Sequence, residues 1–531
     1  MPQVVVRPRP SVVVRRDPAR PARLAARVGL LGIVACSSIA SAVGAQPGAA
    51  GPSSSATATR ATARDPASGG ELSWHTCDSK FRCASLRVPI SYAEPQRGSL
   101  AIAVVELPAR QRATSDLVMN PGGPGASGVQ FLEQAYTMFP ASLRQHVNLV
   151  SFDPRGIGGS DPVRCLTTTE ERAWLSQDPD PRTAEQIASV VRQDKAFVAD
   201  CEARNSGLLL ANVGTVDTAR DLDRLRAALG QSKLDYLGFS YGTYLAEVYA
   251  ERFPSHVGRF VLDGVVDPAI KGEAAAAQQA VAFEDDLDAF FAWCPTSDKC
   301  RSLLPGGAKH DWRALIGYLS SGKTLTAQLY ARFGGTQPVD LGLAELGALE
   351  AMYSSSYWQY LAQGIAEGLQ GNGDLLASLA FNYAEVNNNG SFPNLLDANI
   401  AIGCEDSPSP RALSTYESLA QRLATVAPDF GAGVAWGGLP CAYWPYPVTG
   451  STGPVHAPGT PTVLVVGSTG DPATPYAWAQ AVARQFPRAV LLTRRGEGHT
   501  GYASSQCVRD YVDAFIEHGE LPRRGTVCAS S

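Results

Sequence analysis

Charge is sparse in this chain: 18% of 531 residues are Asp, Glu, Lys or Arg, against 45% that are hydrophobic. Such a chain can bury a large core, and its length fits one elaborated catalytic domain or two domains better than a string of small ones. The charge it has is unevenly placed. The first 27 residues hold seven Arg and one Asp, a local +6, and residues 28–45 hold none, so a net charge of -5 leaves -11 on the remainder. An acidic body argues against nucleic acid as a partner. Histidine is scarcer still, with seven in all, so candidates for a proton-transferring base are few. None of the 11 Cys stands in a CxxC or His-interleaved pattern, which argues against a zinc site.

Long apolar runs are absent except at the start. Arg-rich residues up to Arg27 precede VGLLGIVACSSIASAVGA, which ends in the small residues Val43, Gly44 and Ala45. This pattern reads as an export signal over residues 1–45. As a permanent span the run is marginal in length and rich in Ala and Ser. Ile33-Val34-Ala35-Cys36 also resembles a lipobox in which Cys36 takes a lipid, although Arg27 stands close to it. Arg15 and Arg16 lie too far from the run for a persuasive twin-arginine signal. Residues 46–70 are a Pro/Ala/Ser/Thr/Gly tether with little to bury, and are expected to be disordered.

Setting Cys36 aside leaves ten cysteines, an even number. They fall as near neighbours: Cys77 with Cys83, Cys165 with Cys201, Cys294 with Cys300, Cys404 with Cys441, and Cys507 with Cys528. Five local disulfides in an oxidising compartment are the natural expectation, though spacing alone does not fix the connectivity.

From Trp74 strands and helices alternate. Apolar runs of strand type occur at Leu100–Leu107, Asp116–Met119, Val147–Asp153, Leu234–Phe239, Phe260–Leu262, Thr462–Val466 and Ala489–Thr493, with a helical stretch at Asp217–Leu229. Alternation of this kind predicts an α/β fold with a mostly parallel sheet flanked by helices, and function at the strands' carboxyl ends. The predicted first part of that core is 71–268 and its second part 459–531. Between them, 269–458 is a mainly helical insertion without evident internal repeat, expected to form a cap over the site.

The rest is arranged around Lys233–Phe253, where GFSYG (Gly238–Gly242) separates a strand from a helix. A serine in such a tight turn needs side-chain-free neighbours, which makes Ser240 a candidate nucleophile at an elbow and the Tyr241 N–H a candidate oxyanion donor. In a chain with 51 Gly a lone GxSxG is weak; its setting strengthens it. NPGGPGASG (Asn120–Gly128) also follows a strand, and reads either as a tight turn or as a second oxyanion donor at Gly123. Asp471 lies in GSTGDPATP after one late strand and His499 in RGEGHTGY after another. A lone Asp in a Gly/Pro loop is usually a turn former. The order Ser, Asp, His is nevertheless that of the α/β-hydrolase arrangement and of no other common serine triad. His499 would take the Ser240 proton, Asp471 would fix its tautomer, and Tyr241 and Gly123 would receive the oxyanion, with no metal or cofactor required.

NPGGPGASG, DPRGIGGSDPV, GFSYGTYLAEVYAERFP, RFVLDGVVDP, AIGCEDSP, GDPATP, GHTGY and GELPRRGTVC together resemble the secreted tripeptidyl-aminopeptidase-type serine peptidases of actinobacteria. These are α/β-hydrolases related to prolyl aminopeptidases. The resemblance runs from about Trp74 to Cys528. It implies cleavage of peptides near a free N-terminus, the triad Ser240, Asp471 and His499, oxyanion donors at Gly123 and Tyr241, and Thr474, the threonine of the DPxTP loop, as a substrate-binding candidate.

An exopeptidase needs a carboxylate for the substrate ammonium, because burying that charge unpaired is costly. Glu405 and Asp406 are candidates, and so is the acidic stretch Phe283–Phe290; a solvated face or helix cap is the plainer reading of each. Asp153 and Arg155 are expected to support their loop. Tyr353, Tyr357, Trp358 and Tyr360 are expected to pack the inserted helices or line an apolar pocket. Two alternatives carry different functions: an exported carboxylesterase or lipase with the same triad, and a binding protein that keeps the fold without catalysis.

Overall fold

A computed structural model describes residues 72–328, 336–387, 389–450 and 453–529. The expected leader, the tether and Cys36 lie outside the described residues. Ten strands form one sheet: β1 (His75–Thr76), β2 (Arg82–Pro89), β3 (Ser99–Leu107), β4 (Ser115–Asn120), β5 (Val147–Phe152), β6 (Leu234–Phe239) and β7 (Val257–Asp263), followed after an interval by three more. In the interval β8 (Leu325–Ala327) and β9 (Gln337–Val339) make a separate two-stranded ladder. The chain then returns as β10 (Val463–Gly470), β11 (Ala489–Glu497) and β12 (Val527–Cys528). The order across the sheet is β1-β2-β3-β5-β4-β6-β7-β10-β11-β12. Pairing is antiparallel from β1 through β3 to β5, and parallel from β5 to β12.

The parallel strands read as unbroken apolar runs because both faces are covered. Alternation sorts them into two cores. Val118, Val150, Tyr236, Phe260, Leu262 and Val465 face one layer, with Leu222, Leu245 and Tyr249 from its helices. Leu117, Leu149, Leu237, Val261, Leu464 and Val466 face the other, with Val508 and Val512 from the last helix. Those faces are set by a period of two, so a slip of one residue would exchange them.

Between β7 and β10 the chain is chiefly helical, and most of it has its own core around Phe283, Phe290, Trp312, Leu343, Trp358 and Leu376. Its later part behaves differently: Ala398, Ala401, Ile402, Trp444 and Val455 join a sheet core. Trp358 packs on Phe290 and Trp293, the packing role expected for that aromatic group. All five near-neighbour disulfides are formed. Among the described residues no helix is long and apolar enough to cross a membrane, and no cluster of three or more His, Cys, Asp or Glu is arranged to hold a metal.

Candidate active site

Ser240 stands between the last residue of β6 and the first of the helix Tyr241–Arg252, at φ 54° and ψ -127°. A side chain at positive φ is strained, and the surroundings must hold it there. They do so through three bonds: Ser240 N–H donates to the Asp263 carbonyl at 2.9 Å, and the Ser240 carbonyl accepts from Thr243 N–H at 2.8 Å and Thr243 Oγ1 at 2.7 Å. The flanking glycines are required by space. A Cβ on Gly238 would stand 2.4 Å from the Gly242 carbonyl oxygen, and one on Gly242 would stand 2.7 Å from that of Asn120.

The Asn120–Gly128 loop passes across this elbow. A Cβ on Gly122 would lie 2.9 Å from Ser240 Cβ and 3.1 Å from Tyr241 N, so the main chain leading into Gly123 runs beside the serine. Tyr241 is the first residue of its helix, where N–H groups have no intrahelical acceptor. Asp153 steadies the loop as expected: its carboxylate accepts from Ser127 Oγ at 2.6 Å, Val129 N at 3.0 Å and Gly159 N at 2.7 Å. Arg155, fully buried, forks onto both oxygens of Asp221 at 2.7 Å.

Asp471 follows β10, and His499 follows β11. His499 Nδ1 is 2.8 and 3.0 Å from the two Asp471 oxygens. Asp471 also accepts from Ala473 N, Thr474 N and Thr500 N at 3.1, 2.8 and 3.1 Å. A carboxylate facing Nδ1 keeps the proton there and leaves a lone pair on Nε2. That Nε2 is buried and has no hydrogen-bond partner among the described residues, so Ser240 Oγ does not bond it in this state. The serine and histidine flank the same peptide: Ser240 N–H bonds the Asp263 carbonyl, while a Cβ on Gly264 would lie 2.9 Å from His499 Cε1. Burial alone would lower the imidazole's pKa, but the Asp471 charge and hydrogen bond, with the Asp263 charge behind them, raise it above the ordinary 6.5.

The three substrate-binding candidates each have partners within the chain. Thr474 is buried, with Oγ1 3.3 Å from His499 Nδ1, and so stands beside the acid–base pair. Glu405 accepts from Val213 N and Gly214 N, both at 2.9 Å, and from Thr449 Oγ1. Asp406 accepts from Thr215 N at 2.8 Å and Thr215 Oγ1 at 2.5 Å, and Thr215 Oγ1 in turn contacts the Tyr241 hydroxyl. Both carboxyls therefore cap the start of the helix Thr215–Ala228, where unpaired N–H groups favour an acceptor. Burial pushes each up to about 7.

The other acidic candidate fares differently. Asp286, 2% exposed on the helix Glu273–Trp293, receives no N–H or O–H bond from the described residues. Its neighbour is the Glu497 carboxyl, two residues before His499. Burial first, and Glu497 second, push Asp286 up to about 9. Tyr353 also reaches the site from the inserted helices: its carbonyl accepts from His499 N at 2.9 Å, and its ring meets the imidazole edge-on at 5.4 Å.

A sheet with a serine elbow at one strand end, and Asp and His at two later ones, is the layout of an α/β-hydrolase-fold serine hydrolase. Residues 117–303 match the family described as alpha/beta hydrolase fold, and residues 427–528 the one described as TAP-like protein. The chain is 34% identical over 484 residues to serine protease Hip1 of Mycobacterium tuberculosis, covering 88% of this chain and 93% of that one. Over 485 residues it is 34% identical to carboxylesterase B of the same organism, covering 86% and 90%. Over 480 residues it is 32% identical to tripeptidyl aminopeptidase of Streptomyces lividans, covering 86% of each. The chain belongs to this family of tripeptidyl-aminopeptidase-like α/β-hydrolases.

Proposed function

We propose that the chain is an exported serine exopeptidase that cuts peptide bonds near a free N-terminus. The observation that carries the reading is the Asp471–His499 pair, with the Nε2 lone pair uncommitted beside the Ser240 elbow. In the proposed reaction Nε2 takes the Ser240 proton as Oγ attacks the scissile carbonyl, and the oxyanion falls on Tyr241 N–H and Gly123 N–H. The imidazolium, steadied by Asp471, returns its proton to the leaving amine. Water activated by the same nitrogen then releases the acyl group. Nε2 and Oγ must close up when substrate binds, as apo contacts of this kind commonly do.

The helices at 269–458 serve as the cap in this reading, and Asp286 with Glu497 as the anchor for the substrate ammonium. An ammonium can supply the positive charge that buried Asp286, lacking an N–H or O–H donor, otherwise makes up for by holding a proton; a neutral N-acetyl end cannot. Five disulfides and the apolar leader support export; mature peptide substrates, rather than nucleic acid, suit an acidic body.

The carboxylesterase relative keeps a second reading open, an exported esterase with the same triad. Matched peptides with free and acetylated N-termini separate the two, with product masses giving the number of residues removed. Loss of cleavage on acetylation is expected; equal cleavage of both, or turnover of acyl esters alone, would refute the exopeptidase. Fluorophosphonate labelling that survives Ser240→Ala would refute the triad itself.

A further inference from the structure

Asp263, the last residue of β7, is fully buried and pairs in register with Phe239 of β6 and Val466 of β10. Its main-chain carbonyl holds Ser240 N–H at 2.9 Å. Its carboxylate accepts from Gly501 N and Tyr502 N, both at 2.7 Å, immediately beyond His499. One residue thus grips the nucleophile's backbone with one group and the base's loop with another. We infer that Asp263 is a positioning residue for hydrolysis, fixing the turn after His499 and supplying a second negative charge, beside that of Asp471, which strengthens the imidazole as a base.

Two features separate this role from plain scaffolding. Each carboxylate oxygen meets an N–H donor, so an amide of the same shape would set its NH2 against one of them. The charged groups in range are His499, Asp471 and Arg494, and no hydrogen-bonded ion pair to Arg494 neutralises Asp263 among the described residues. Burial pushes Asp263 up to about 6, the two N–H bonds and the imidazole opposing it, so it is ionised at neutral pH where a base is needed. The charge then favours the protonated imidazole that forms as Ser240 attacks.

The inference rests on the triad reading above, and its test keeps the two apart. The second-order rate of fluorophosphonate labelling is followed against pH for the wild type, Asp263→Asn and Asp263→Ser, with Ser240→Ala as control and thermal melting to certify folding. The expected result is a plateau reduced about tenfold or more and an acid limb moved down by about half a pH unit or more, because without the Asp263 charge the imidazolium is less stabilised and His499 gives up its proton at lower pH. An acid limb that stays in place in a folded variant overturns the inference, whatever the plateau does. Labelling that persists in Ser240→Ala instead overturns the triad. If neither Asp263 variant folds, Asp263→Glu, which keeps the charge but moves it relative to Gly501 and Tyr502, takes their place: a displaced acid limb is expected, and an unmoved one in the folded variant overturns the inference.

Discussion

Asp263 and Asp286 are both buried acids near the His499 loop, one at the end of a sheet strand and one on an inserted helix, and they are treated in opposite ways. The sheet end offers main-chain N–H groups released by the turns that follow its strands, and Asp263 takes two of them. The helix offers no spare N–H, because each is used within the helix itself, and Asp286 faces another carboxyl. A buried acid with donors can stay charged and hold a loop or a base. A buried acid without donors must keep a proton or acquire a cation.

The sharpest way to break this contrast is to remove charge on the sheet side. Asp471→Asn leaves the shape but favours the wrong imidazole tautomer, and a loss of about 10^3–10^4 in kcat is expected. A loss under tenfold would mean that Asp471 does not orient His499. On the helix side, Asp286→Asn with Glu497→Gln should raise KM for free-amine peptides about 10- to 100-fold while leaving labelling by a small fluorophosphonate intact. Equal effects on both probes would assign the pair to structure alone.

Stability against pH sharpens the same contrast. Because the folded pKa of Asp286 is raised from 3.8 to about 9, the native state holds a proton the unfolded chain has lost, and stability drains away as pH rises through that window. Melting of Asp286→Asn relative to wild type should therefore gain about 2–4 °C or more between pH 5 and pH 9, read by calorimetry; a constant difference would show that Asp286 does not titrate there. The smallest effect is expected from Glu405→Gln, which keeps an acceptor for Val213 and Gly214 and should cost about 1 kcal/mol.

The sheet was legible because its central strands are doubly covered and carry unbroken apolar runs, such as Leu234–Phe239. β2 was not. RCASLRVP is an alternating strand near the sheet's margin, exposed on one side, and Arg82, Ser85 and Arg87 hide its period among neighbouring polar residues. Ser240, Asp471 and His499 could be picked out because each sits in a glycine-rich loop at a strand end. For Glu405 and Asp406 the sequence alone does not choose between substrate carboxylate and helix cap, because the N–H groups they serve lie about 190 positions earlier. Asp263 stood in the quoted VLDGVVDP, yet its partners at 501 and 502 come 238 and 239 residues later. No spacing rule joins such distances; only the parallel order of β6, β7, β10 and β11 does.

The grip of the Tyr353 carbonyl on the His499 amide joins the end of the inserted helix Leu341–Met352 to the loop that carries the base. A shift of that helix end would carry the His499 main chain with it, so the pose of the imidazole is set in part by a segment more than 140 residues earlier in the chain.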